Sequence, residues 1–268
     1  MNYGQKPKTA SNSPSTYSGG VTIKSPQELD SMRRAGGIVG NVLDLLMAAV
    51  EPGITTLDLD KIANKERFRQ GATPAFKGYQ GFPASICASV NEEIVHGIPS
   101  KRVLLEGDIV KVDVGATIEG FIGDAAVSIA GGDVEPETIE LMNHTRTSLE
   151  EGIKAAQPGA RVGDIGAAVQ DYGESRGYGV VREFVGHGIG RFLHEDPQVP
   201  NYGKAGMGTL LRVGMCIAIE PMFNMGDWHT KILDDEWTVI TADGKLSSHF
   251  EHTIAITEDG PEILTVHG

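Results

Sequence analysis

The run Gly107-Asp-Ile-Val-Lys-Val-Asp-Val-Gly-Ala-Thr-Ile-Glu-Gly-Phe-Ile-Gly-Asp-Ala-Ala-Val-Ser128 reads as a β-hairpin, two β-rich stretches of alternating apolar residues joined at Glu119-Gly120. With the turn centred there, Asp113 falls opposite Ala126, and Asp124 lies two residues along the same strand as Ala126. The two carboxylates then share a face as diagonal neighbours, roughly 7–8 Å apart at the backbone and closer at the tips. Held that close on an apolar ribbon, they repel each other unless a proton or a cation lies between them. The plain alternative is a pair of solvated charges on the outer face. The rest of the chain decides between the two by whether it supplies further ligands.

Composition sets the limits. The 268 residues suffice for one large domain or two small ones, and 40% apolar with 22% charged residues is an ordinary water-soluble balance. A net charge of −13 argues against a nucleic-acid protein, whose affinity comes mainly from Lys and Arg against phosphate. Two cysteines, Cys87 and Cys216, make no disulfide framework, which fits a reducing compartment and a cytoplasmic location. No run of about 18 apolar residues is present to span a membrane. Residues 1–20 are rich in Ser, Thr, Asn, Gly and Pro without an apolar stretch, so a disordered tail is expected there rather than a secretory signal. Residues 21–268 then form a single domain. The Lys and Arg residues are scattered singly and are expected on solvated faces.

Upstream of the hairpin, Ser25-Pro26-Gln27-Glu28 is a capping box with Pro at the first helical position. Leu29, Met32, Ile38, Val39, Val42, Leu43 and Leu46 follow at helical spacing, and Pro52-Gly53 stops the helix. A second helix is expected over about Thr56 to Gln70 with Leu59, Ile62, Ala63 and Phe68 as its apolar face. A short strand, Ser85 to Ser89, precedes a loop, Asn91 to Pro99. Downstream, a helix from Pro136 carries Ile139, Met142, Leu149 and Ile153 and stops at Pro158-Gly159. Another is expected from about Gly163 to Ser175, then strand and loop from Val180 to Gly190, a long loop to Arg212, and a strand from Met215 to Glu220. A final hairpin would join Thr238–Ile240 to Phe250–Thr257 through Asp243-Gly244.

The second half repeats the first. Ala48-Ala49 precedes Pro52-Gly53, with Asp58 six residues after the proline; Ala155-Ala156 precedes Pro158-Gly159, with Asp164 six after. Gly107 leads an apolar strand to Asp113, as Gly214 leads one to Glu220, and His96-Gly-Ile and His187-Gly-Ile come before those strands. The offsets of 106, 107 and 91 residues are what an old duplication with insertions would leave. Two related halves, about 25–131 and 132–265, would then lie about a pseudo-twofold axis, and their strand-end carboxylates would face a shared cleft.

Candidate ligands are therefore Asp113 and Asp124 from one half and His187, Glu220 and Glu251 from the other. Four carboxylates with one imidazole suit a pair of divalent ions (Mn, Fe, Co or Zn) better than a thiolate-held structural zinc. Water shared by two such ions becomes a nucleophile near neutral pH. His187 sits among glycines that let backbone pass close to it; the competing reading is a turn residue. Glu220 ends an apolar strand, where a carboxylate is costly to bury unpartnered. Glu251 and His252 point to opposite faces of their strand, and Glu251 is chosen because His252 shares its face with Ile254 and Ile256. His194 lies outside the spacing of a zinc-protease helix. Ser85 and Cys87 lack the context of a nucleophile elbow.

At these residues the chain closely resembles the methionine aminopeptidases of type I, the bacterial form, from about Ser25 to Thr265. The carriers are Phe82-Pro-Ala-Ser-Ile-Cys87, Asn91-Glu-Glu-Ile-Val-His-Gly-Ile-Pro99, Lys111-Val-Asp-Val114, Gly123-Asp124, Phe184-Val-Gly-His-Gly-Ile-Gly190 with His194-Glu-Asp-Pro197, Ile219-Glu-Pro-Met222 and Phe250-Glu-His-Thr-Ile254. The resemblance implies the pseudo-symmetric α/β (α+β) "pita-bread" fold, mainly antiparallel sheet with helices on its outer face. It implies removal of N-terminal methionine from peptides and nascent chains, by a monomer working at the ribosome, with two divalent ions per chain. Asp113, Asp124, His187, Glu220 and Glu251 match the family's metal ligands, with Asp124 and Glu251 bridging and Glu220 also shuttling a proton. His96 matches the residue that contacts the substrate near the scissile amide, and His194 the one that stabilises the oxyanion. The methionine pocket maps to Tyr79, Phe82, Cys87, Leu193 and Trp237, whose other reading is ordinary core. Leu193 and Gln80 depart from residues common in the family, which bears on pocket shape. The room in the second half excludes the helical insertion of type II enzymes, and two lone cysteines exclude a zinc-finger extension. The alternatives are a prolidase-like X-Pro hydrolase and a non-catalytic pita-bread peptide-binding module.

Overall fold

The computed structural model describes residues 19–266. The expected tail lies outside the described residues except for its last two. Of these, Gly20 is anchored: its N–H donates to Asp196 Oδ2 at 2.6 Å, and Val21 forms a bridge with Asp196.

Two helices open the fold, α1 (Pro26–Ala49) and α2 (Thr56–Arg69), followed by β1 (Thr73–Pro74), β2 (Cys87–Val90), β3 (Glu93–Val95) and the long hairpin β4 (Asp108–Ile118) and β5 (Phe121–Gly131). Helices α3 (Pro136–Ala155) and α4 (Val162–Glu174) come next. After them run β6 (Gly179–Val180), β7 (Gly186–Gly188), β8 (Glu195–Val199), β9 (Cys216–Ile219), β10 (Met222–Asn224), β11 (Thr230–Ile232), β12 (Val239–Thr241), β13 (Ser247–His249), β14 (His252–Thr257) and β15 (Gly260–Ile263). Every ladder between these strands is antiparallel.

The capping box forms as the sequence requires. Ser25 Oγ accepts the Glu28 N–H and Glu28 returns a carboxylate to the Ser25 N–H. Met32, Ile38, Val39, Val42, Leu43 and Leu46 are buried, and α1 lies on β4 and β5. Asp58 and Asp164 both fall in the first turn of a helix, α2 and α4 respectively, where a carboxylate meets unpaired N–H groups. Helix α3 covers β9, β10 and β13 and packs on α4. The two sheets that carry β5 and β14 are tied directly. Glu251 N–H donates to the Ala126 carbonyl at 2.8 Å, and the Thr253 hydroxyl donates to the Asp124 carbonyl at 2.7 Å.

Several expectations fail, each for a packing reason. Phe68 and Ile139 are 58% and 48% exposed rather than core. The buried stripe of α2 runs Leu59, Ala63, Arg67 at i, i+4, i+8, off the Phe68 side. The guanidinium of Arg67 is accommodated by the Gly115 carbonyl at 3.2 Å and Ser85 Oγ at 2.7 Å. Lys24, Arg67 and Lys111 are all buried, against the expectation of solvated cations. The final hairpin does not form: β12 pairs with β11 and with β3, inside the expected 91–99 loop, while β14 pairs with β9 and β15. A turn does occur at Asp243-Gly244, but its two arms enter different sheets.

Adjacent glycines in α1 make this packing testable. A Cβ on Gly36 would lie 2.2 Å from the Leu264 carbonyl oxygen, whereas one on Gly37 meets nothing within 4 Å. Gly36→Ala should destabilise the protein by about 1–3 kcal/mol through overpacking. Gly37→Ala should stabilise it by roughly 0.5–1 kcal/mol through helix propensity. Urea unfolding of both variants checks the opposite signs.

Candidate functional site

The hairpin adopts the register expected of it. Asp113 pairs with Ala126 and Ile118 with Phe121, leaving a two-residue turn at Glu119 (φ 52°) and Gly120 (φ 77°). Positive φ at both positions is what a right-handed ribbon twist requires. Asp113 and Asp124 come within hydrogen-bonding reach, and Cys87 pairs with Asp113 from the other side. His187 lies in β7 between two glycines that cannot be replaced without collision. A Cβ on Gly186 would sit 2.3 Å from the Ala218 oxygen and one on Gly188 2.2 Å from the Asp196 oxygen. Glu220 follows β9, and Glu251 sits between β13 and β14, held by its backbone bond to Ala126.

All five line one pocket, with about 180 Å³ open to water-sized molecules. His96, His194, Tyr79, Phe82, Cys87, Leu193 and Trp237 line it too. Asp124, His187 and Glu251 each offer a ligand atom within 4.8 Å of the others, and His187 Nε2 is 3.6 Å from Glu220 Oε1. No residue singled out for the site falls elsewhere. Phe76 and Gln80 join the wall unannounced; Gln80, at φ 47°, stands out in sequence only as a departure from the resembled pattern. His252 stays out of this pocket, its Nδ1 paired with Thr265 Oγ1 at 2.9 Å.

The rim is aromatic. Phe82 meets Trp237 edge-on at 5.0 Å between ring centroids, and His96 lies edge-on to Phe184 at 5.5 Å. His194 stands 4.3 Å from the His187 ring, and its Nδ1 is 2.6 Å from the Tyr79 hydroxyl. Behind it, Glu195 pairs with buried Lys24 at 2.9 Å and accepts the Arg191 N–H at 2.9 Å. This stapling of the His194 loop to the start of the chain has no local sequence signal. Ser85 is held outside the pocket between Arg67 and Asp60.

The electrostatics of the floor are one-sided. Burial, then the neighbouring carboxylates, raise Asp124, Glu220 and Glu251 well above the ordinary acid range, and burial raises Asp113. Asp113 Oδ1, Asp124 Oδ1 and Glu251 Oε1 are buried without a hydrogen-bond partner. No Lys or Arg lines the pocket. His187 is pushed down to about 3 by burial and then by His194, so its imidazole is neutral. Its Nδ1 lies 2.9 Å from the Gly188 carbonyl, which places the proton there and leaves Nε2 as a ligand. Oxygen-rich, unpaired and held around one neutral imidazole, this donor set fits divalent cations. Without metal, the native state keeps carboxyl protons that the unfolded chain, with ordinary carboxyls near 3.8 and 4.5, has released. Above about pH 7.5 the histidines are neutral in both states. The chelated protein should therefore lose stability as pH rises beyond about 7.5, and divalent metal should flatten that slope, as read by thermal melts.

Residues 30–258 match the model of metallopeptidase family M24. The chain is 51% identical to a methionine aminopeptidase of Clostridium acetobutylicum, over 92% of this chain and 99% of that protein. The crystal structure of a methionine aminopeptidase from Thermotoga maritima superposes with a TM-score of 0.91 at 48% identity, covering 92% of this chain and 99% of that one. A prolidase from Pyrococcus furiosus shares the fold alone, with a TM-score of 0.76 at 22% identity, covering 92% of this chain and 66% of that one. The chain thus belongs to metallopeptidase family M24 and, within it, to the methionine aminopeptidases.

Proposed function

We propose that the chain removes N-terminal methionine from peptides and nascent proteins, using Asp113, Asp124, His187, Glu220 and Glu251 to hold two divalent ions. The observation that carries this reading is the convergence of four carboxylates, Asp124 and Glu251 buried and Asp113 and Glu220 half-buried, on one neutral imidazole with no basic side chain to balance them. Asp124 and Glu251, on strands tied to each other through the Ala126 and Asp124 carbonyls, would be shared between the ions. Such ions, when bound, polarise a carbonyl and acidify water near neutral pH.

The chain's own groups do the rest. Glu220 accepts a proton from the attacking water and hands it to the leaving amine nitrogen. The Tyr79 hydroxyl donates to His194 Nδ1, so that Nε2 carries the ring proton and donates to the oxyanion. Partial desolvation against the pocket wall lowers the pKa of the otherwise exposed His194, which favours the neutral ring. His96 contacts the substrate beside the scissile amide. Phe82, Leu193, Trp237 and Tyr79 offer the aromatic and aliphatic contacts that a thioether side chain favours. The Cys87 thiol, held protonated by burial and Asp113, contributes only surface. Two related halves in one domain, a monomeric state, cytoplasmic location and work on nascent chains at the ribosome complete the proposal. The prolidase-like alternative has only a shared fold in its favour, and a binding module would not need all five metal-type side chains.

Methionine release from a Met-Gly-Met peptide should stop on chelation and return with divalent metal. Asp124→Asn should abolish it in a folded protein; chelator-insensitive turnover would end the metal reading. His194→Ala should lower kcat by about 10²–10³. Tyr79→Phe should lower it less, and should have no further effect once His194 is alanine; additive losses would separate the two residues.

A further inference from the structure

His249 is 1% exposed, and neither of its ring nitrogens has a hydrogen-bond partner in the protein. Its backbone is well fixed. The N–H donates to Ser128 Oγ at 3.0 Å, its carbonyl accepts from the same hydroxyl at 2.9 Å, and it pairs with Met222 across β10 and β13. Strand β13, which carries His249, packs on β3, which leads directly into His96, and on β4, which carries Lys111; His96 and Lys111 are the charged or titratable groups whose field its ring feels. Among the described residues no protein group hydrogen-bonds to the His96 ring, which rests edge-on against Phe184 and Trp237 at 5.5 and 6.5 Å between centroids. His96 also holds a left-handed backbone (φ 61°), uncommon for a residue with a side chain. Lys111 is 1% exposed, and its ammonium donates to the Asn91 carbonyl at 2.7 Å with two N–H groups to spare.

Aromatic edges can hold an imidazole in place but cannot choose which nitrogen carries its proton. That choice needs a hydrogen bond. A buried, neutral imidazole offers one donor and one acceptor, and leaving both unmet is costly. In folded proteins such groups are met by enclosed water.

We propose that His249 is a positioning residue: an ordered water hydrogen-bonded to its ring, with Lys111 Nζ alongside, bridges to His96 and fixes that ring's tautomer and tilt. The inference rests on the role given above to His96. A steric filler would do as well with leucine, whereas a water-holding role requires a polar atom at the same place. His249→Gln should therefore retain function where His249→Leu does not.

Three measurements test this. In a high-resolution crystal structure of the unsubstituted enzyme, solvent should lie within hydrogen-bonding distance of both rings; a dry gap between them overturns the proposal. In ¹⁵N spectra of the metal-free protein, the His96 ring signals should be unchanged in His249→Gln and shifted in His249→Leu; identical spectra in the leucine variant overturn it. In the metal-loaded enzyme, His249→Leu should lower kcat about tenfold or more with KM within about twofold. The same change should add nothing in a His96→Ala background, and additive losses count against the link. If His96→Ala alone turns over normally, the role of His96 fails, while the crystal and the spectra still judge the coupling between the rings.

Discussion

Four carboxylates crowded into one pocket, two buried and two half-buried, with no lysine or arginine among them, are the constraint on which this molecule turns. Left to themselves, like charges in a low-dielectric pocket separate or take up protons. Here the backbone forbids the first. Asp113 and Asp124 are locked by an eleven-residue hairpin ladder, and Glu251 is bonded through its own N–H to the strand that carries Asp124. The Thr253 hydroxyl both accepts the Asp124 N–H and donates to its carbonyl, a second tie across the same seam. Folding energy from the apolar core thus maintains a charge arrangement that only protons or cations relieve.

The surroundings fit that strain. Glycines 186 and 188 let two neighbouring strands close on His187, so its imidazole is buried and neutral rather than a competing cation. His96 and His249 are also kept neutral by desolvation. Any positive charge at the floor must therefore come from a ligand. The wall supplies the other half of recognition, apolar rings lining the pocket, with His194 tethered by Tyr79 and by the Lys24–Glu195 pair behind it. The polarity of the floor and the greasiness of the wall together suit a chain terminus bearing an unbranched thioether.

Much of this was legible in residues 107–128 alone. Period-two alternation and the Glu119-Gly120 turn determine register, and register puts Asp113 and Asp124 on one face. The same periodicity separates Glu251 from His252, and the repeated spacing of Asp58 and Asp164 marks the same turn of two helices. Caps, turns and alternation are interactions among residues a few positions apart, so their energy is encoded where it acts.

The tertiary structure decided what depends on which distant surfaces meet. Nothing near Thr238–Ile240 says that it will join β3 and β11 rather than Phe250–Thr257, because exposed backbone edges accept several partners and loop closure discriminates weakly among them. The burial of Lys24, Arg67 and Lys111 depends likewise on carboxylates and carbonyls that arrive from remote segments. So does the packing of β13, with His249, on β3, which leads into His96 more than a hundred residues earlier in the chain. Local pattern determined which side chains could bear the chemistry; only packing of the whole chain determined what each of them touches.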